Sequence, residues 1–229
     1  MELLESFIQK AKQKKRKIVL PESMDPRILS ATSSIILEDI ADIILIGNEE
    51  EILSKIENES VREKVKIYNP EKHKELLEEL ASILFKRRSH KGLTIEEARA
   101  IVLKNHHFYG ALLVEKGLAD GMVCGAVCTT AATLKAIIHC VGIKEGSSLL
   151  SSFFMMQSDN KLLGSDGLMF FADCAVNPNP NEEQLASIAM DTALSYKKIM
   201  HEEPRVAMLS FSTLGSAEHE LVDKVKNAL

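Results

Sequence analysis

The sequence predicts an α/β protein with a largely parallel sheet, and three observations support this fold class. Short apolar strands alternate with amphipathic helices along the first part of the chain. The strand 41–46 is apolar at nearly every position, which is typical of a strand covered by helices on both faces. A glycine turn and two threonines, Thr129 and Thr130, lie between a short strand at 121–124 and a helix.

The elements of the first domain are predicted from hydrophobic period and from the residues that begin or end them. Pro21 cannot donate to a sheet ladder and therefore suits the end of a strand. Asp25 followed by Pro26 is typical of a helix start, and Thr94 and Glu97 have the spacing of a capping box. The predicted order is helix 2–14, strand 17–20, helix 26–37, strand 41–46, helix 49–57, strand 65–68, helix 71–87, a helix from 94, helix 107–116 and strand 121–124.

A segment rich in Gly and Ser, 141–148, predicts a domain boundary, so that the domains are 1–143 and 144–229. The pattern changes after this boundary, because two strands are now separated by a short turn region instead of a helix. The predicted order is a hairpin of strands 149–156 and 168–172, helix 182–200, strand 206–209 and a helix from about 218.

Composition excludes several classes of function. A chain of 229 residues, 45% of them apolar, is large enough for one large or two modest domains. A formal net charge of −5 gives no reason to expect nucleic acid or a membrane surface as a partner.

No signal peptide or transmembrane segment is recognised, so a cytoplasmic protein is expected, with its four cysteines reduced. No zinc-ligand set is completed around Cys124 and Cys128, so no metal is expected.

The helix that follows Thr129 and Thr130 begins with unpaired N–H groups and a partial positive charge. Two hydroxyls at that end either cap the helix or bond an anion, and the spacing alone leaves both roles open. The stretch is not a P-loop, because no Gly-Lys-Ser/Thr follows the turn.

Three longer stretches, taken in order, resemble one enzyme family. They are 119–130, which contains Ala-Asp-Gly-Met-Val-Cys-Gly-Ala-Val, then 171–180, Phe-Ala-Asp-Cys-Ala-Val-Asn-Pro-Asn-Pro, and 204–216, which begins Pro-Arg-Val-Ala-Met-Leu-Ser-Phe-Ser-Thr. Shorter matches lie at 20–27 and 88–92. The chain resembles the phosphate acetyltransferases and their phosphate butyryltransferase relatives along almost its whole length.

The resemblance implies a two-domain, isocitrate dehydrogenase-like α/β enzyme that moves an acetyl group reversibly between acetyl phosphate and coenzyme A. It implies no bound cofactor and no metal, since coenzyme A is a substrate, and it implies a cytoplasmic homodimer in acetate metabolism. In such a mechanism an Asp takes the thiol proton, and Ser and Arg groups stabilise the charge that develops. Whether the enzyme prefers acetyl or butyryl groups stays open.

The resemblance also implies phosphate or substrate binding by Arg88, Thr129, Thr130, Lys135, Thr213, Gly215 and Ser216. An arginine suits this role, because its guanidinium bonds two phosphate oxygens at once. The alternatives are a solvated helix end for Arg88 and ordinary helix caps for the hydroxyl residues. Cys174 matches a cysteine of the family pattern and is expected to be structural.

The sequence departs from the family pattern at four positions: Cys128 replaces His, Ala132 replaces Asp, Lys135 replaces Arg and Leu214 replaces Lys. Members also continue past the equivalent of Leu229, and that part carries the Asp base and the Ser-Arg pair. We therefore expect an incomplete second domain and assign no catalytic residue within 1–229. Three hypotheses follow: a phosphate acetyltransferase part without turnover of its own, an enzyme completed by a partner chain, or a non-catalytic phosphate-binding remnant.

Overall fold

A computed structural model describes residues 3–213 and 216–229 of the chain. Contacts between residues divide the chain into two units, Met1–Gly142 and Ile143–Leu229. The domain boundary predicted from the sequence lies one residue later. Each unit is described by itself.

The first unit contains a parallel four-stranded sheet. Its strands are β1 (Lys17–Leu20), β2 (Asp42–Ile46), β3 (Lys66–Tyr68) and β4 (Gly121–Met122), in the order β3-β2-β1-β4. Every neighbouring pair is parallel. The predicted α/β class with a parallel sheet is therefore confirmed, although β4 ends two residues earlier than the sequence predicted.

Helices cover both faces of this sheet. They are α1 (Leu3–Gln13), α2 (Pro26–Leu37), α3 (Glu49–Ser54), α4 (Glu59–Lys64), α5 (Lys74–Arg88), α6 (Ile95–Lys104), α7 (His106–Glu115) and α8 (Thr130–Cys140), with a 3₁₀ turn at Ser89–Lys91. Successive strand residues point to opposite faces, so Val19 and Ile44 join one apolar cluster while Leu20 and Leu45 join the other. The predicted helix 49–57 ends early, and α4 follows it as a separate helix that the sequence reasoning missed.

The second unit is built from a hairpin and two helices. Strands β5 (Phe153–Gln157) and β6 (Leu168–Ala172) pair antiparallel, and helices α9 (Glu182–Met200) and α10 (Glu220–Asn227) follow. The predicted hairpin is confirmed, although its first strand begins at 153 instead of 149. The predicted strand 206–209 was wrong, because no strand of the described residues pairs with this segment, and its backbone therefore has no ladder to join.

Gly110 allows helix α7 to approach the sheet closely. A Cβ atom at this position would lie 2.9 Å from Met122 Sδ and 3.0 Å from Val19 Cγ1. Both distances are shorter than ordinary van der Waals contact, and Val19 is completely buried. The packing of α7 on β1 and β4 therefore depends on the absence of a side chain at residue 110.

We expect Gly110→Ala to lower the free energy of unfolding by about 1 kcal/mol. An overpacking cost of about 2 kcal/mol outweighs a gain of about 1 kcal/mol in helix propensity. Urea titration followed by circular dichroism measures the change. Ala100→Gly, at an exposed position of α6, measures the propensity effect alone. A Gly110→Ala variant more stable than the parent protein would contradict the close approach.

Candidate functional site

The loop between β4 and α8 is folded around the carboxylate of Glu22. Glu22 Oε2 accepts hydrogen bonds from the backbone N–H groups of Gly125 at 2.9 Å and Ala126 at 2.7 Å. Its Oε1 accepts from Val127 and Cys128, both at 2.9 Å. We call these four converging N–H groups, of residues 125–128, the amide cradle. Gly125 has φ +115°, a conformation that only glycine adopts without strain, and the cradle begins there.

Glu22 is ionised in the folded protein. Its side chain is only 4% exposed. Burial raises the pKa of this carboxyl, but the N–H bonds from Cys128, Val127 and Ala126 oppose that effect and hold the pKa well below its usual range. The buried charge is therefore compensated by backbone dipoles, and the imidazole Nε2 of His107 also lies 3.4 Å from Oε1.

A second contact ties the same loop to the start of α2. Asp25 caps α2 by accepting from Arg27 N at 2.9 Å, and the Arg27 side chain forms an ion pair with the Asp25 carboxylate at 2.8 Å. The hydrogen bond with Arg27 lowers the pKa of Asp25 to about 2. Arg27 Nη2 also donates to the carbonyl oxygen of Ala126 at 2.7 Å. The family-like stretch 20–27 thus holds the loop 125–128, a role that sequence reasoning did not find.

Thr129 and Thr130 lie at the N-terminus of α8, directly after the amide cradle. Thr129 is the N-cap residue, and its Oγ1 accepts from Ala132 N at 3.3 Å. Both threonines are exposed. Thr129 therefore performs the capping role that the sequence left open, while anion binding by either hydroxyl stays a prediction.

Arg88 and Lys135 line one cavity of about 810 Å³ in the first unit. Arg88 ends α5 and Lys135 lies on α8, so the fold brings together two cations that are far apart in the sequence. His139 lines the same cavity, and its pKa is lowered by burial and by the nearby charges of Arg88 and Lys135. The other lining residues are Leu84, Lys91, Gly92, Leu93, Glu97, Ala100, Ile101, Lys104, Asn105 and Phe108.

The chemistry of this cavity suits an anion with an apolar portion. Four of its lining residues are lysines or arginine, against the single carboxylate of Glu97. Leucine, isoleucine and phenylalanine side chains supply most of the apolar wall. Apolar walls reduce the local dielectric, so charges at the cavity surface act more strongly on a bound anion than they would in water.

In the second unit, the family-like stretch 171–180 folds around the carboxylate of Asp173. Asp173 Oδ1 accepts from Ala175 N at 2.9 Å, Val176 N at 3.1 Å and Ser152 Oγ at 2.5 Å. Burial raises the pKa of Asp173, but the bonds from Ser152, Ala175 and Val176 lower it well below its usual range. Cys174 Sγ lies 3.3 Å from Ser152 Oγ, which fits its expected structural role.

The remaining predicted site residues lie near residue 213. Ser216 Oγ donates to the Thr213 carbonyl oxygen at 2.7 Å. Gly215 lies outside the described residues. Thr213 does not follow a strand end as the sequence predicted, because 206–209 forms no strand among the described residues. A substrate contact at Thr213, Gly215 or Ser216 stays a prediction.

Three metal-ligand types also meet beside the amide cradle. Atoms of Glu22, His107 and Cys128 lie within 4.8 Å of one another, although no spacing in the sequence links these three residues. A metal ion does not fit this group well, because the Glu22 oxygens already accept four N–H bonds whose positive ends would face the cation. The Cys128 sulfur instead lies 2.8 Å from Thr133 Oγ1.

No helix in the described ranges 3–213 and 216–229 combines the length and apolarity needed to cross a bilayer. The parallel sheet, the loop anchored before α8 and the cavity lined by four cationic side chains define an α/β protein with a concentration of positive charge on its first unit. Comparison with known proteins gives the particular family.

Residues 2–229 match the family model described as Phosphate acetyl/butaryl transferase. The chain belongs to this family, and it is therefore an acyltransferase. The phosphate acetyltransferase of Thermoanaerobacterium thermosaccharolyticum is 45% identical over 228 residues, which are 100% of this chain and 69% of that protein. The phosphate acetyltransferase of Clostridium acetobutylicum is 41% identical over 230 residues, covering 100% of this chain and 68% of the relative.

Solved structures agree with the family assignment. A phosphotransacetylase from Streptococcus pyogenes has a TM-score of 0.88 and 32% sequence identity, covering 100% of this chain and 68% of that chain. The EutD phosphotransacetylase from Staphylococcus aureus has a TM-score of 0.81 and 35% identity, covering 99% and 66%. The resemblance inferred from the three sequence stretches is confirmed.

We expect Asp173→Asn to lower the free energy of unfolding by about 2 kcal/mol at pH 7, because the amide loses one acceptor oxygen and the negative charge. The folded-state pKa of Asp173 lies below its ordinary 3.8. The contribution of the carboxylate to the free energy of unfolding is therefore present above pH 3.8 and is lost as the pH falls towards the folded-state pKa. Urea titrations at pH 7 and pH 3 should therefore give a smaller difference between variant and parent at pH 3.

Asp166→Asn is the matched control, because the Asp166 side chain is 83% exposed and lies in the same hairpin unit. Its effect should stay within 0.5 kcal/mol of zero, about the size usual for exposed positions. If the difference in unfolding free energy between Asp173→Asn and the parent grew towards low pH, it would contradict an ionised Asp173 held by N–H bonds.

Proposed function

We propose that this protein acts as a phosphate acetyltransferase, which transfers an acetyl group reversibly between acetyl phosphate and coenzyme A. The observation that carries the proposal is the meeting of Arg88 and Lys135 in one cavity of a chain that belongs to the family. Relatives that are 45% and 41% identical over the whole chain are named phosphate acetyltransferases. Coenzyme A is then a substrate and no resident cofactor is required.

The cavity suits the phosphate groups of both substrates, acetyl phosphate and coenzyme A. Arg88 offers a planar fork for two oxygens, and Lys135 adds a point charge from the facing helix α8. We propose that Thr129 and Thr130 add hydroxyl donors from the start of the same helix. A hydroxyl whose oxygen accepts the capping bond still has a proton to donate, so capping and anion binding by Thr129 are compatible.

The volume of the cavity favours the larger substrate. At about 810 Å³ it lies in the range of pockets that hold drug-sized molecules, whereas acetyl phosphate has only a few heavy atoms. Coenzyme A carries several phosphates joined to apolar and aromatic parts. The combination of lysine and arginine heads with a leucine, isoleucine and phenylalanine wall matches that mixture.

Several further features are part of the same proposal. The two units correspond, within one residue, to the predicted domains 1–143 and 144–229 of an isocitrate dehydrogenase-like fold. Thr213, Gly215 and Ser216 contact substrate, and the catalytic base lies outside residues 1–229. The protein acts in the cytoplasm as a homodimer, in acetate metabolism. The matched residues make up 69% and 68% of two relatives.

A second candidate is a phosphate-binding protein without turnover. It is favoured by one observation: residues between Leu84 and His139 form the whole lining of the cation-lined cavity, so anion binding does not require the second unit. Phosphate butyryl transfer is the alternative reaction within the family, whose description includes both acyl groups.

We expect Arg88→Ala to weaken coenzyme A binding about 10-fold, because a hydrogen bond between charged groups contributes about 1.5 kcal/mol or more. Lys135→Arg should tighten binding by about threefold, since the fork adds a second bond to phosphate. Isothermal titration calorimetry with coenzyme A and with inorganic phosphate measures both changes. Lys86→Ala, at an exposed position two residues before Arg88 on α5, is the control and should bind as the parent does. Equal affinities of Arg88→Ala and the parent for coenzyme A would exclude this cavity as the coenzyme A site.

Turnover separates the two candidate functions. Acetyl-CoA formation from acetyl phosphate is measured for the chain alone and with the C-terminal third of the Thermoanaerobacterium thermosaccharolyticum relative added. Acetyl-CoA in either mixture supports the enzyme. Coenzyme A binding with no acetyl-CoA in both mixtures supports the phosphate-binding protein and contradicts the enzyme.

A further inference from the structure

Helix α8, which presents Lys135 to the cavity, is held at both ends by contacts from other elements. At its C-terminus, Arg87 donates to the Val141 carbonyl and pairs with Glu115 at 2.7 Å. At its N-terminus, the amide cradle is bonded to the carboxylate of Glu22. Each tether comes from an element distant in sequence, and the N-terminal one acts through the loop 125–128 that leads into α8.

The tether at the N-terminal end acts directly on the helix. Cys128, the last residue of the amide cradle, is followed immediately by the N-cap Thr129 and then by the first turn of α8. Lys135 lies six residues beyond Thr129, about 9 Å along the helix axis. A shift or fraying of the first turn therefore moves the segment that carries the Lys135 side chain.

Only a carboxylate of this length fills the amide cradle. Each Glu22 oxygen accepts two N–H bonds, so a Gln side chain, which has one oxygen, leaves two donors facing its NH₂ group. Asp is shorter by one methylene group, so on the same backbone its carboxylate would lie farther from the four N–H groups. Four N–H groups that converge on one charge form an anion site that the chain itself occupies.

We propose that Glu22 is a positioning residue: its carboxylate takes the place of an anion in the amide cradle and thereby fixes the helix that presents Lys135 to substrate. The part of this inference that concerns substrate rests on the proposed function. Among the described residues, the hydrogen-bond partners of Glu22 are His107 and the loop 125–128, none of which lines the cavity, so Glu22 acts through that loop. The hydrogen bonds of the amide cradle hold the pKa of this carboxyl well below its usual range, so the carboxylate is charged at neutral pH.

Hydrogen exchange of backbone amides tests the tether without any substrate. In Glu22→Ala, amides of 125–128 and of the first two turns of α8 should exchange at least 10-fold faster than in the parent. Added formate should slow them again, because it restores a carboxylate to the amide cradle. Rates that are unchanged, or that formate does not slow, would overturn the proposal. Glu22→Gln provides a milder variant should Glu22→Ala unfold, and it should show faster exchange at the same amides.

Asp120→Asn is the matched control. Asp120 also accepts a backbone N–H, from Lys17 at 2.8 Å, and pairs with Arg16 at 2.9 Å, but it lies at the opposite end of β4 from the loop. Its variant should leave exchange at 125–128 within twofold of the parent and should not respond to formate. Equal acceleration of the loop in Asp120→Asn would show general loosening and overturn a specific role for Glu22.

Calorimetry with coenzyme A then tests the link to substrate. Glu22→Ala should bind coenzyme A about 10-fold more weakly than the parent, and formate should recover most of the loss. Faster exchange with unchanged affinity would overturn the link to Lys135. Absence of coenzyme A binding in the parent would overturn the proposed function, and the exchange rates at Lys135 would still decide whether Glu22 fixes its helix.

Discussion

Four consecutive backbone N–H groups donate hydrogen bonds to one buried carboxylate, that of Glu22. These bonds connect the parts of the first unit that matter for its site. Glu22 follows β1 and the amide cradle follows β4, so the bonds join segments 103 positions or more apart in the sequence. These strands are neighbours in the parallel sheet, and their C-terminal ends therefore lie at the same edge. The sheet brings carboxylate and N–H groups together, and their bonds then set where α8 begins.

The second unit uses the same arrangement at Asp173. There too a carboxylate accepts consecutive backbone N–H groups, from Ala175, Val176 and Asn177, just after a strand. In both units hydrogen bonds within the chain hold the loop. Preorganisation of this kind reduces the entropy that binding would otherwise cost.

Local patterns were sufficient to predict the parts of the fold that depend on local physics. The apolar run 41–46 became a buried parallel strand, and the Thr94 capping box formed with both of its bonds.

The strand at 206–209 was predicted wrongly, because a strand exists only with a partner and apolar alternation does not show one. The tether at Glu22 was missed for a related reason: nothing in its neighbours indicates donors more than 100 positions away. Arg88 and Lys135 came from family resemblance alone, and their shared cavity appears only when α5 and α8 pack together.

A crystal structure of the chain with bound phosphate would show directly which anion site the substrate uses. We expect an anion between Arg88 and Lys135, with the Glu22 carboxylate still bonded to the amide cradle of residues 125–128. A phosphate bound in the amide cradle, with Glu22 displaced from it, would refute the role of Glu22, because the chain would then leave that anion site to its substrate.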